Sequence, residues 1–137
     1  MPGGWAEFQD FDCTYYSNDG TYAGTSSETW INMVTRAAEL NDTQMNPGPR
    51  LEGWARAAGF VNIRHKKIAI PVGPWAKDKR LKELGWLNLI QILGGLEAFS
   101  LRLLTQVLRW EPQEVEQLVS RVREEHMSKK MHVQFDL

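Results

Sequence analysis

The sequence has 137 residues, 42% of them hydrophobic, which is enough apolar side chain for one cored domain, residues 1–137. Lys and Arg total 16 against 17 Asp and Glu, a formal charge of -1, so no overall basic field favours nucleic acid or an anionic membrane surface. Cys13 is the only cysteine, which excludes an intramolecular disulfide and a thiolate zinc site and points to a reducing, cytoplasmic setting.

Met1 to Trp5 carries neither the basic and apolar regions of a secretory signal nor the Arg/Ser-rich amphipathic character of a transit peptide. Pro2-Gly3-Gly4 is turn chemistry leading into residues 5–13, where Trp5, Phe8 and Phe11 are interspersed with polar residues, and a first strand is expected there. Residues 17–27 are rich in Ser, Thr, Gly, Asn and Asp without an apolar period, which predicts a loop with its tip at Asn18-Asp19-Gly20. Thr25 and Glu28 have capping-box spacing, and Trp30, Met33, Val34, Ala37 and Leu40 then recur at helical intervals, predicting a helix over about residues 28–41.

Asn46-Pro47-Gly48-Pro49 interrupts the chain; Leu51, Trp54, Ala55 and Ala58 share the face of a short second helix, stopped by Gly59. Residues 60–72 alternate Val and Ile with basic residues, slip near Lys66-Lys67, and predict a strand with a bulge, ended by Pro71 and Pro74. Residues 81–108 form the hydrophobic centre as one or two helices, with Gly94-Gly95 the expected break or close-packing point. Polar residues such as Asn88, Gln91, Glu97 and Arg102 interrupt this run, so it reads as a buried or amphipathic helix and not as a membrane span. Pro112, preceded by Glu111 as cap, opens a helix striped by Val115, Leu118, Val119 and Val122, and the alternating Met131, Val133, Phe135 and Leu137 finish the chain as a strand.

Several residue types are candidates for chemistry. Asp10 and Asp12, two apart, share a strand face on which either could act as a general base, although solvated strand-end charges are the commoner outcome. His65, between Arg64 and Lys66-Lys67, is either an acid/base group or a surface residue of a basic strand. No pair among His65, His126 and His132 has metal-binding spacing on a helix, so no metal site is expected. Cys13 has no histidine near it in sequence and is expected to be an inert thiol. Phe8, Phe11, Tyr15, Tyr16, Trp30, Trp75 and Trp86 supply aromatic walls for a flat apolar ligand, with ordinary core packing as the competing reading of each.

Taken in order, Pro2-Gly3-Gly4-Trp5-Ala6-Glu7-Phe8-Gln9, Leu51-Glu52, Ala58-Gly59-Phe60-Val61-Asn62-Ile63, Pro71-Val72-Gly73-Pro74-Trp75-Ala76-Lys77-Asp78-Lys79 and Leu81-Lys82-Glu83-Leu84-Gly85 span nearly the whole chain. In this order they resemble the C-terminal, substrate-side half of class I S-adenosylmethionine-dependent methyltransferases, especially the secondary-metabolism branch common in fungi. The resemblance implies an α/β fold, α+β in isolation: a truncated class I methyltransferase fold of about three strands with four to five helices. The strands would be the fifth, seventh and sixth of the family's sheet. It also implies an acceptor pocket lined first by Tyr15, Tyr16 and Trp30; Trp75 and Trp86 remain substrate-binding candidates on their aromatic character alone. The glycine-rich turn that seats the cofactor in that family has no counterpart, since no G-x-G-x-x-G or G-x-G-x-G occurs here, and no cofactor is expected to bind.

On this basis the edge of the first strand would be open, and a homodimer, or a complex with another methyltransferase-like chain, is expected to continue the sheet through residues 5–13. The favoured activity is a cofactor-independent isomerisation or cyclisation of a natural-product intermediate, in which orientation and one acid or base suffice. The alternatives are a non-catalytic partner of another biosynthetic enzyme and a fragment of a genuine methyltransferase.

Overall fold

The computed structural model describes residues 3–137; Pro2, and with it the start of the expected Pro2-Gly3-Gly4 turn, lies outside the described residues. In chain order the elements are β1 (Asp12–Tyr16), α1 (Ser26–Leu40), a 3-10 turn (Gly48–Arg50) running into α2 (Leu51–Ala57), β2 (Ala69–Val72), α3 (Lys79–Arg102), a π-helical turn (Leu103–Val107), α4 (Pro112–Met127) and β3 (Val133–Asp136). The three strands form one antiparallel sheet in the order β1-β3-β2. This α+β arrangement, with the last strand between the first two, is the fifth-seventh-sixth order expected of a truncated class I methyltransferase fold.

The helices start where the local chemistry places them. The Thr25 hydroxyl accepts the Glu28 amide at 3.1 Å, while the Glu28 carboxylate reaches one residue further back than a capping box would and accepts the Gly24 amide at 2.7 Å. Glu111 and Glu114 form a full capping box ahead of Pro112, and Asp78 accepts the amides of Arg80 and Leu81 at the start of α3. Gly59 stops α2 with a φ of 89°, a left-handed conformation that glycine adopts without steric cost.

The strands are shorter than their sequence patterns, for one physical reason. A strand persists only where a ladder partner exists, and β3 offers four residues. The expected first strand at residues 5–13 therefore begins only at Asp12, which pairs with Asp136, and runs on to Tyr16, opposite Gln134, with an irregularity between the two. Residues 5–11 form no strand, and Trp5 is 93% exposed. Likewise the expected strand at residues 60–72 shrinks to Ala69–Val72, extended by one residue through paired Ile68 and Leu137 bonds of 2.9 Å in each direction. Pro71 does not end β2 but sits inside it, a position tolerated because β2 is an edge strand.

Gly94-Gly95 does not break α3, which continues to Arg102. The irregularity falls instead at the π-helical turn, where Leu108 bonds back to Leu103 and Thr105 donates its hydroxyl to the Leu101 carbonyl at 2.6 Å. The close-packing glycine of α3 is Gly85. Its carbonyl accepts the Gly73 amide at 2.8 Å, and a β-carbon there would collide with the Gly73 carbonyl oxygen.

The register pairs Ile70 with Phe135 and Val72 with Val133, so these four side chains share one face of the sheet. They join Trp30 and Val34 of α1, Leu89 and Leu96 of α3, and Val115, Leu118 and Val122 of α4 in a single apolar core. The opposite face carries Pro71 against Gln134 and Ala69 and Asp12 against Asp136. Burial is lopsided along α3: Lys79–Val107 is long and apolar enough to cross a membrane by length and composition, yet only 22% of its apolar window is buried, with Leu87, Ile90 and Phe99 more than half exposed.

Candidate functional site

The polar face of the sheet opens onto a cavity of about 390 Å3 lined by residues 4–10 and Asp12, by Gly48, Pro49 and α2, and by residues 60–68 with Asp136 and Leu137. Each wall has a local origin. The left-handed Gly59 and Asn62, with φ of 89° and 54°, turn the chain out of α2 and send residues 63–68 back toward β2. The facing segment is anchored at Phe11, whose carbonyl accepts the Gly48 amide at 3.1 Å, and at Cys13, whose amide donates to Asn46 Oδ1 at 2.9 Å. Phe8 and Phe60 close the gap between the walls edge to face, with ring centroids 5.9 Å apart.

Asp10, Asp12 and His65 all line this cavity. Asp10 Oδ1 accepts the Phe11 amide at 2.8 Å and Asp12 Oδ1 accepts the Thr14 amide at 3.0 Å, which fixes the direction of each carboxylate. His65 Nδ1 lies 3.3 Å from Glu52 Oε2, so α2 supplies the carboxylate that orients the imidazole. At the inner end Tyr16 donates its hydroxyl to Asp136 Oδ1 at 2.8 Å, and Lys67 Nζ stands 3.8 Å from Asp136 Oδ2. Burial, and then the hydrogen bond to Asp136, push the Tyr16 phenol above its ordinary pKa. A phenol, a carboxylate and an ammonium thus meet beside the cavity, an arrangement able to hold or move a proton.

The aromatic candidates do not gather there. Tyr15 stacks on Phe135 at 5.5 Å and faces the core, where burial pushes its phenol well above the ordinary value. Trp30 is 5% exposed and donates its indole N–H to Ser100 Oγ at 2.8 Å, so its polar atom is satisfied within the interior. Trp75 donates to the Val133 carbonyl at 3.1 Å and lies against the His132 ring, while Trp86 is 43% exposed on α3. None of the five lines the cavity; Tyr16 is tied to its edge through the bond to Asp136, which does.

Sequence reasoning missed Glu52 and Asp136, and it read Lys67 only as part of a basic cluster on the second strand. Tyr16 and Asp136 are 120 residues apart, and only the strand register brings them together. A signal existed for Glu52 alone, in its position on the predicted second helix. Cys13 is half-buried, and burial, with Asp12 and Asp10 nearby, raises its thiol pKa, in keeping with an inert thiol.

Among the described residues, the backbone amides at the two strand-to-helix turns, groups that could otherwise hold an anion, are already engaged. After β2, the Gly73 amide is held by Gly85 and the first amides of α3 by Asp78. After β1, the Ser26 and Ser27 amides donate to Glu125 and the Glu28 amide to Thr25.

Comparison with known proteins gives a consistent picture. The chain is 42% identical to "Methyltransferase pytC" of Aspergillus terreus over 136 residues, covering 98% of this chain and 42% of that protein. It is 33% identical to "Probable methyltransferase tdiE" of Emericella nidulans over 132 residues, 96% of this chain and 42% of the relative. With "Secondary metabolism regulator laeA" of Monascus pilosus it shares 29% identity over 134 residues, 96% of this chain and 36% of the relative. It therefore spans about two fifths of the length of the curated relatives it matches. No family profile and no solved structure matches it. Along nearly all of its own length the chain is similar to these fungal proteins, named as methyltransferases and as a secondary-metabolism regulator.

Proposed function

We propose that the chain binds a natural-product intermediate in the cavity between residues 4–12 and 60–68 and converts it by acid–base chemistry without a methyl donor, as an isomerase or cyclase. The observation that carries this reading is the convergence of Asp10, Asp12, the His65–Glu52 pair and the Tyr16–Asp136–Lys67 cluster on one cavity. A rearrangement needs a proton taken at one atom of the substrate and returned at another. Asp12 and His65 are the candidate bases, and Tyr16, with its raised pKa, the candidate donor. Phe8 and Phe60 hold the flat part of the substrate, and a cytoplasmic setting belongs to the same reading.

Turnover of pathway intermediates by the purified chain, with no cofactor added, tests the proposal. Asp12→Asn and Tyr16→Phe are expected to lower kcat by about 10²-fold or more with the fold intact, whereas Trp30→Phe acts on stability alone. Unchanged rates in both variants would remove these residues from the chemistry.

A second reading, in which this chain supplies the substrate side to a methyltransferase or other biosynthetic enzyme on another chain, is favoured by the exposed residues 4–9, which form no helix or strand. Calorimetry with S-adenosylmethionine separates the two: no heat is expected from the chain alone, and heat only in the presence of a partner chain supports the second reading.

A further inference from the structure

Two sets of opposite charges line the cavity without neutralising each other. On one wall Asp10 and Asp12 each engage Oδ1 with a backbone amide, and Oδ2 of neither has a hydrogen-bond partner among the described residues. On the other, residues 64–67 alternate in use. His65 and Lys67 are paired with Glu52 and Asp136, whereas Arg64 and Lys66 form no ion pair within 4.0 Å among the described residues. Between the walls lies the apolar Phe8–Phe60 contact.

This arrangement selects among ligands by charge. A ligand with a single charge is attracted by one wall and meets its own sign on the other, while a neutral ligand leaves both walls unanswered. A ligand with a cation at one end, an anion at the other and a flat body between them answers both at once. We propose that the cavity recognises such an amphoteric small molecule, with its amine on Asp10 and Asp12, its carboxylate on Arg64 and Lys66, and its ring against Phe8 and Phe60. The assignment rests on the reading of this cavity as the substrate site, and it names the class of substrate.

The test is an NMR titration of the full chain at low ionic strength with three probes of one shape: 4-(aminomethyl)phenylacetate, 4-methylbenzylamine and 4-methylphenylacetate. The zwitterion is expected to bind about fivefold tighter than either singly charged probe, a ratio set by one partly exposed ion pair. Arg64→Gln with Lys66→Gln should remove that advantage and tighten 4-methylbenzylamine binding, because the like charges that oppose this cation are gone. Asp10→Asn with Asp12→Asn should do the converse for 4-methylphenylacetate. All four positions are exposed or half-buried and take these substitutions without loss of the core. Equal affinities for the three probes would overturn the amphoteric class while leaving the cavity as a binding site. Unmoved resonances of residues 60–68 and Phe8 at millimolar concentrations of every probe would overturn the cavity reading and this proposal with it.

Discussion

His126 stands near the end of α4, 5% exposed and with its Nε2 atom without a partner among the described residues, so its neutral form is the one that the interior accepts. Burial lowers its pKa from 6.5 to about 4, against the smaller opposing pull of the Glu125 carboxylate. Glu125 is itself held in place across the chain: it accepts the Ser26 and Ser27 amides at 2.7 and 2.8 Å and the Ser27 hydroxyl at 2.7 Å, tying α4 to the first turn of α1. Burial pushes the Glu125 carboxyl up, but the bonds from Ser26 and Ser27 outweigh it and leave its pKa below the ordinary value. Because the folded state binds its proton at His126 more weakly than the unfolded chain does, stability is complete above the unfolded value of 6.5 and falls as pH drops toward about 4. Urea denaturation across that window should show a loss of roughly 2 kcal/mol. Asp19, lowered to about 2 mainly by its hydrogen bonds to Thr21, acts in a separate and more acidic window, below 3.8. His126→Leu should therefore flatten the profile between about 4 and 6.5 without touching the acid limb. An unchanged slope in that variant would place the titrating group elsewhere.

Within α3, two glycines that look alike in sequence differ in what surrounds them. Gly85 is wedged against the turn after β2, where a methyl group would strike the Gly73 carbonyl and lie 3.1 Å from Pro71 Cγ, while Asn88 holds the Pro71 carbonyl at 3.0 Å one turn further on. Gly94 faces open space. Gly85→Ala should cost about 2 kcal/mol or more through forced separation of α3 from β2, and Gly94→Ala should stabilise by about 0.5–1 kcal/mol through its helix propensity. Equal and small effects in chemical denaturation would mean that the helix slides freely on the strand. The contrast also marks what the sequence makes legible. Helix starts at Thr25, Glu111 and Pro112 could be read because a cap and an apolar stripe are local, written within four or five residues. The strands at residues 5–13 and 60–72 were misplaced because alternation records a side-chain pattern and not the presence of a partner, and β3 ends too soon to pair with either in full. The site followed the same division. Asp10, Asp12 and His65 lie on the segments that form the cavity, whereas aromatic identity alone could not separate Trp30, sealed in the core, from Tyr16, which the register brings to Asp136.

At the scale of the molecule, the segment leading to β1 is exposed although the edge of β1 itself is not. The edge of β1 away from β3 is covered where Asn46 and Gly48 meet Cys13 and Phe11, so sheet extension must begin N-terminal to these contacts, along residues 4–10. There the chain forms no helix or strand, Trp5 is 93% and Phe8 56% exposed, and the amides make no protein hydrogen bond among the described residues. A strand added at this point would bury both aromatic rings, satisfy the free backbone and roof the cavity that the same residues line, so association and ligand binding would share one surface. We accordingly expect a homodimer, with a mass that rises toward twice 15.7 kDa over the micromolar range in sedimentation equilibrium. Trp5→Ser with Phe8→Ser should weaken association by tenfold or more while leaving the thermal midpoint of the monomer unchanged, because neither ring belongs to the buried core. Leu87→Glu, on the exposed face of α3, serves as the control for nonspecific clustering of apolar surface. A monomer at all concentrations would leave residues 4–10 as a wall of the cavity alone; association lost in Leu87→Glu but kept in the double variant would move the interface to α3.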